Sequence, residues 1–102
     1  MSKHFVIMSF ELNDNSLIDE WKALSKEIDE DIFDADGFIS RDSGIDENGR
    51  VYCLVKWQSK MHHERFTKQL EARENWPQMM EYFCNIANMK TSTTQILEVF
   101  EK

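Results

Sequence analysis

His62 is the side chain of this sequence best suited to move a proton near neutral pH. His62 recurs with Phe66 and Leu70 at helical spacing, which aims it inward as a candidate general base. The alternative for His62 is a hydrogen-bonded packing role at the start of its helix. His63 points away from that stripe and is expected in solvent. Neighbouring histidines do not make a zinc pair, which needs i, i+4 or cross-strand spacing, and no His-Cys-carboxylate pattern adds ligands. No metal site is expected. Phe38, Trp57, Phe66, Trp76 and Tyr82 could line an apolar pocket for a flat molecule, or simply fill the core. Arg41 and Lys56 lie on strands expected to be covered. Arg41 could hold an anionic group of that ligand, and an ion pair to Glu98 or Glu11 would satisfy either cation equally. Glycine-rich phosphate loops, HExxH strings and Ser-His-Asp order are all missing, so hydrolase, nucleotide and zinc-protease chemistry have no support.

The elements that must position these groups are legible from periodicity. His4 to Leu12 is β-branched and aromatic and stops at Asn13-Asp14-Asn15, which predicts a strand. Ser16 is a plausible N-cap for a helix whose Leu17, Trp21, Leu24, Ile28 and Ile32 form one apolar stripe. Gly37–Asp46 and Arg50–Gln58 flank Asn48-Gly49, a hairpin signal expected to form a type I′ turn. Ser59 caps the helix that carries His62. After a break near Asn75, Pro77 opens a last helix with Met79, Met80, Phe83, Ile86 and Ala87 inward. Lys90 to Phe100 ends the chain as a strand.

This order, β-α-β-β-α-β, is that of an α+β ferredoxin-like domain, an antiparallel sheet with its helices on one face. A length of 102 residues predicts one domain over 1–102. Twelve Lys and Arg against nineteen Asp and Glu give a net charge of −7, which repels phosphate backbones and anionic membranes. Neither nucleic acid nor a membrane is an expected partner. No apolar run approaches the roughly 20 residues of a membrane helix, no signal peptide is visible, and Cys53 and Cys84 lack disulfide or C-x-x-C spacing. A cytoplasmic protein with reduced thiols is expected.

The strands place apolar residues on both faces. Phe5 and Ile7 oppose Val6, Met8 and Phe10; Tyr52 and Leu54 oppose Val51, Cys53, Val55 and Trp57; Leu97 and Val99 oppose Ile96 and Phe100. One helical layer covers only one face. A second copy of the chain would cover the other, giving a homodimer through the sheet.

Gly37-Phe38-Ile39-Ser40, the Asn-Gly hairpin, and Trp57-Gln58-Ser59 opening a helix resemble, in order and separation, the antibiotic biosynthesis monooxygenase family. The resemblance implies a dimeric α+β barrel, in which two ferredoxin-like sheets face each other. It implies a cofactor-independent monooxygenase-like activity on a small aromatic or quinol-type substrate held between sheet and helices. His62 would then remove the phenolic proton, because the anion is what can give an electron to oxygen. Cofactors implied are none. The haem-degrading branch fits poorly, since by spacing from Trp57 its helical Trp falls on Phe66 and its haem-ligating His on Trp76. The alternative is a non-catalytic dimer that binds a small metabolite or serves as a stress-related accessory.

Overall fold

The computed structural model describes residues 3–100. Among them, four strands and three helices run in the order β1 (Lys3–Leu12), α1 (Ile18–Ile32), β2 (Phe38–Ile45), β3 (Arg50–Trp57), α2 (Lys60–Glu71), α3 (Trp76–Ile86) and β4 (Ala87–Val99). The strands form one antiparallel sheet in the order β2-β3-β1-β4, so β1 and β3 are central. This is the expected α+β ferredoxin-like arrangement.

Register decides which side chains meet the helices. His4 pairs with Trp57, Val6 with Val55, Met8 with Cys53 and Phe10 with Val51, and this row faces the helical layer. Its centre is an aromatic triad: Phe10, Trp21 of α1 and Phe83 of α3 meet edge to face at 5.0–5.9 Å. Leu12, Val51, Cys53, Ile86 and Ala87 complete the buried cluster, and Leu17, Ile18, Leu24 and Ile28 pack against it along the predicted stripe of α1. A second aromatic group, built on Trp57, lies under α2 at the far end of the same face.

The opposite face carries Phe5, Ile7 and Ser9 of β1, Tyr52, Leu54 and Lys56 of β3, and Leu97 and Val99 of β4. Its apolar residues are those read from sequence as the second face. Arg50 spans it, donating to Ser9 Oγ and to the Thr91 carbonyl, 2.7 Å away on β4. Lys56 Nζ sits 5.8 Å from the centroid of the Phe5 ring.

Several local expectations are corrected. The helix start is set by Asp14, not Ser16: the Asp14 carboxylate accepts from Ser16 N at 2.9 Å and opens a 3₁₀ turn, Asn15–Leu17, that runs into α1. The hairpin is not type I′, because only Gly49 adopts positive φ (86°) while Asn48 does not. Gly49 N instead donates to the Asp46 carbonyl at 3.0 Å, a three-residue loop closed by a left-handed glycine. The Asp46 carboxylate stabilises it by accepting from Asn48 N and Arg50 N, both at 2.9 Å. Those bonds, that of Arg50 first, hold its pKa below the usual carboxylate range. Ala87 belongs to β4 rather than to the last helix. Its backbone is already extended, and β4 starts three residues before the predicted Lys90.

Candidate functional site

The candidate site is assembled around Trp57, the last residue of β3, which is only 1% exposed. Three rings pack on its indole. Phe38, the first residue of β2, meets it edge-on at 5.9 Å; Phe66 of α2 lies at 5.5 Å; His63 of α2 stacks nearly parallel at 5.9 Å. Ser59 places α2 there by accepting from His62 N, which fixes the first turn over the end of β3.

His63 is therefore not the solvated residue expected from sequence. It is half-buried, and its Nδ1 lies 2.9 Å from Nε2 of His4, a buried residue of β1. Both imidazoles are held below the ordinary histidine pKa. Burial is the main cause in each; the neighbouring His4 adds to it for His63 and Lys60 for His4, while Glu64 opposes in both. At neutral pH the pair is uncharged, and it can accept a proton. An open recess of about 480 Å³ runs beside it, lined by His63, Glu64, Thr67, Lys68 and Glu71.

His62 is hydrogen-bonded and packed at the start of its helix, the alternative read for it from sequence. Its Nδ1 is 2.7 Å from Ser59 Oγ, and its Nε2 is 3.9 Å from the Asp36 carboxylate. The ring lies against Gly37, whose φ of +80° turns the chain from the end of α1 into β2. It is thus on the outer side of the Trp57 group, one residue from the imidazole that touches it.

No model of a known protein family matches the sequence, and no curated protein matches it. Solved structures do. A conserved protein of Methanosarcina mazei Go1 superposes with a TM-score of 0.78 at 12% identity, covering 98% of this chain and 95% of the other. SnoaB, a cofactor-independent oxygenase from Streptomyces nogalater, gives 0.75 at 8% identity over 100% of this chain and 97% of its own. A crystal structure of an antibiotic biosynthesis monooxygenase gives 0.73 at 14% identity, with 96% and 99% covered. The chain has the fold of the antibiotic biosynthesis monooxygenases. That likeness runs from end to end and concerns the backbone, since so few residues are shared.

On this fold the remaining predicted site residues are dispersed. Phe38, Trp57 and Phe66 come together; Arg41, Trp76 and Tyr82 do not join them. The Arg41 side chain, 5% exposed, sits under α1. Its Nη1 donates to Asp29 Oδ1 at 2.6 Å, to Ser25 Oγ at 2.9 Å and to the Ser25 carbonyl at 3.2 Å. Its partner is therefore Asp29 rather than Glu98 or Glu11. The sheet order explains the difference, because β2 lies at the edge opposite β4 and α1 packs on β2. Arg41 also approaches Cys53 Sγ at 3.7 Å, and burial raises the pKa of that thiol, which suits packing rather than nucleophilic chemistry. The cleft above this arginine, about 190 Å³, is lined by Ile18, Trp21, Ser25, Asp29, Ser43 and Ile45 among others. Trp76 opens α3 and is half-buried, and Tyr82 on the same helix is 47% exposed.

Sequence reasoning missed His4 and His63. The available signal was that His4 opens a strand whose even-numbered residues Val6, Met8 and Phe10 are apolar, which puts an imidazole in line with the core face. Among the described residues no group of three or more His, Cys, Asp or Glu could hold a metal ion.

Proposed function

We propose that this protein is a cofactor-independent monooxygenase-like protein that binds a small aromatic or quinol-type molecule and works as a homodimer through its open sheet face. The observation that carries the reading is the end-to-end likeness in fold to a cofactor-independent oxygenase. The dimer is supported by Phe5, Ile7, Leu54, Leu97 and Val99, which line the face that none of the described helices covers.

In this reading the chemistry needs no electron donor besides the substrate. A histidine in the first turn of α2 takes the hydroxyl proton of a phenolic ring, and the anion passes one electron to dioxygen. The two radicals join at a ring carbon to form a peroxide. The imidazolium returns its proton to the peroxide, and loss of the C–H proton from that carbon then breaks the O–O bond. One oxygen remains as the new carbonyl of the quinone and the other leaves as water. Helical spacing alone names His62 as the candidate base.

The test is oxygen consumption with a panel of quinols and hydroxynaphthalenes, for the unmodified protein and for His62→Ala. Turnover lost in the variant, with mass and melting temperature intact, supports both activity and base. Absence of turnover with every compound overturns the enzyme reading. One observation favours a non-catalytic metabolite-binding dimer: Trp57 is already enclosed by Phe38, His63 and Phe66 in the single chain. Tight binding of a compound from the same panel without oxygen uptake would select it.

A further inference from the structure

We propose that the proton-accepting group is His63, backed by His4 as its positioning residue, and that the hydroxyl-bearing ring it serves lies in the recess along α2. The proposal rests on the oxygenase reading above and names the site and the substrate group within it. Geometry carries it in three steps. The bond to His4 uses Nδ1 of His63, which leaves Nε2 as the nitrogen that a ligand can meet. His63 lines the open recess, whereas His62 has Ser59 at one ring nitrogen and Asp36 toward the other. Stacking on Trp57 fixes the plane of the His63 ring, and Trp57 is itself locked between Phe38 and Phe66.

The proton then has a defined route. His63 carries its resting proton on Nδ1 and donates it to Nε2 of His4, so His4 is the Nδ1–H tautomer. When a phenol presents its O–H to Nε2 of His63, the O–H bond breaks, its electron pair stays on oxygen, and an N–H bond forms. The resulting imidazolium keeps its bond to His4. The charged groups around the pair come from two elements. Lys60 and Glu64 of α2 act on it electrostatically, and Glu98 of β4 is the cross-strand neighbour of His4. β2 and β3 present the rings of Phe38 and Trp57. Burial keeps both imidazoles neutral at neutral pH, the state a base requires.

The deciding measurement is two-bond ¹H–¹⁵N NMR on histidine-labelled protein, with 1,4-dihydroxynaphthalene added under nitrogen as the probe. We expect the Nδ1–H tautomer for His63, and a shift of its Nε2 resonance on addition of the probe while His62 stays in place. An Nε2–H tautomer for His63, or a probe that moves His62 alone or neither residue, overturns the proposal. In oxygen uptake, His63→Gln should lower kcat/KM by about 100-fold or more. His4→Ala should leave a working base but a mixture of Nδ1–H and Nε2–H tautomers at His63 in the same NMR measurement, because the acceptor that holds the proton on Nδ1 is gone. An unchanged Nδ1–H tautomer in His4→Ala, or full activity in His63→Gln, contradicts it. The NMR result holding without any oxygen uptake would retain the site and overturn the oxygenase reading. Uptake lost in His62→Ala and kept in His63→Gln would do the reverse.

Discussion

Gly37→Ala tests the geometry that separates the two histidines. At φ +80°, a Cβ built on Gly37 would collide with Cβ, Cγ and Cδ2 of His62. Two costs follow, and they are separable. The left-handed backbone disfavours any L-residue by about 1–2 kcal/mol. The collision with the imidazole adds about 1–3 kcal/mol, the range for an overpacked site. The sum is about 2–5 kcal/mol against a domain stability of about 5–15 kcal/mol, and each 1 kcal/mol lowers Tm by roughly 4–8 °C at this size. The assay is urea unfolding of the unmodified protein, Gly37→Ala, His62→Ala and the double variant, at one fixed chain concentration. In the His62→Ala background the contacts with Cγ and Cδ2 are gone while that with Cβ remains, so Gly37→Ala should cost less than in the unmodified protein and more than the backbone share of about 1–2 kcal/mol. Equal costs in both backgrounds would show that the His62 ring does not lie on Gly37, and the placement of His62 outside the Trp57 group would fail with it.

Phe10→Ala should destabilise by about 3–5 kcal/mol, because Phe10 is fully buried between Trp21 and Phe83; a loss below about 1 kcal/mol in thermal or urea unfolding would contradict that core. Leu54→Arg places a charge at the centre of the open sheet face, and sedimentation equilibrium should find the unmodified protein as a dimer and the variant as a single chain. An unmodified protein that already sediments as one chain removes the homodimer. Stability should also depend on His4 and His63. Their folded pKa values are depressed, so the unfolded chain binds more protons as pH falls. The stabilisation is complete above the ordinary histidine value of 6.5 and is lost as pH drops through 6.5 toward the depressed values. Urea midpoints measured between pH 5 and 8 should show this acid loss, and it should flatten in the double variant His4→Gln, His63→Gln.

Much of this fold was legible in the sequence because period and punctuation agree. The stripe Leu17, Trp21, Leu24, Ile28, Ile32 turns toward the sheet, and apolar residues at alternate strand positions do occupy two faces. Boundaries failed where no residue marks them. α3 passes directly into β4 at Ile86-Ala87 without Gly or Pro, so Ala87 read as one more helical apolar position. Asn48-Gly49 located the hairpin, but its turn type was set by the Asp46 carboxylate, which rewards a type I geometry with two backbone bonds. Arg41 was recognised as a covered charge, yet its partner depended on which helix lies over β2.

The site was less legible for the same reason. Helical spacing puts His62 on the side of Phe66 and Leu70, yet His63 and Thr67 are half-buried too, so the inward face of α2 is broader than one stripe. Which imidazole touches Trp57 is decided by His4, 59 residues away in sequence from His63. The other ring lies 3.9 Å from the Asp36 carboxylate in the turn before β2 and packs on Gly37. Tertiary neighbours of this kind leave no local pattern. Trp76 and Tyr82 were grouped with the pocket on aromatic character alone, and the rings packed on Trp57 are those of Phe38, His63 and Phe66.

Labelling with ¹⁸O₂ tests the central claim most directly, using 1,4-dihydroxynaphthalene and the related phenols that bind the protein. We predict that mass spectrometry finds one ¹⁸O in the oxidised product and the other in water, at a rate that scales with protein concentration and needs no added metal, flavin or haem. Product without label, or label incorporated no faster than in buffer alone, would contradict the assignment of oxygenase chemistry to this protein.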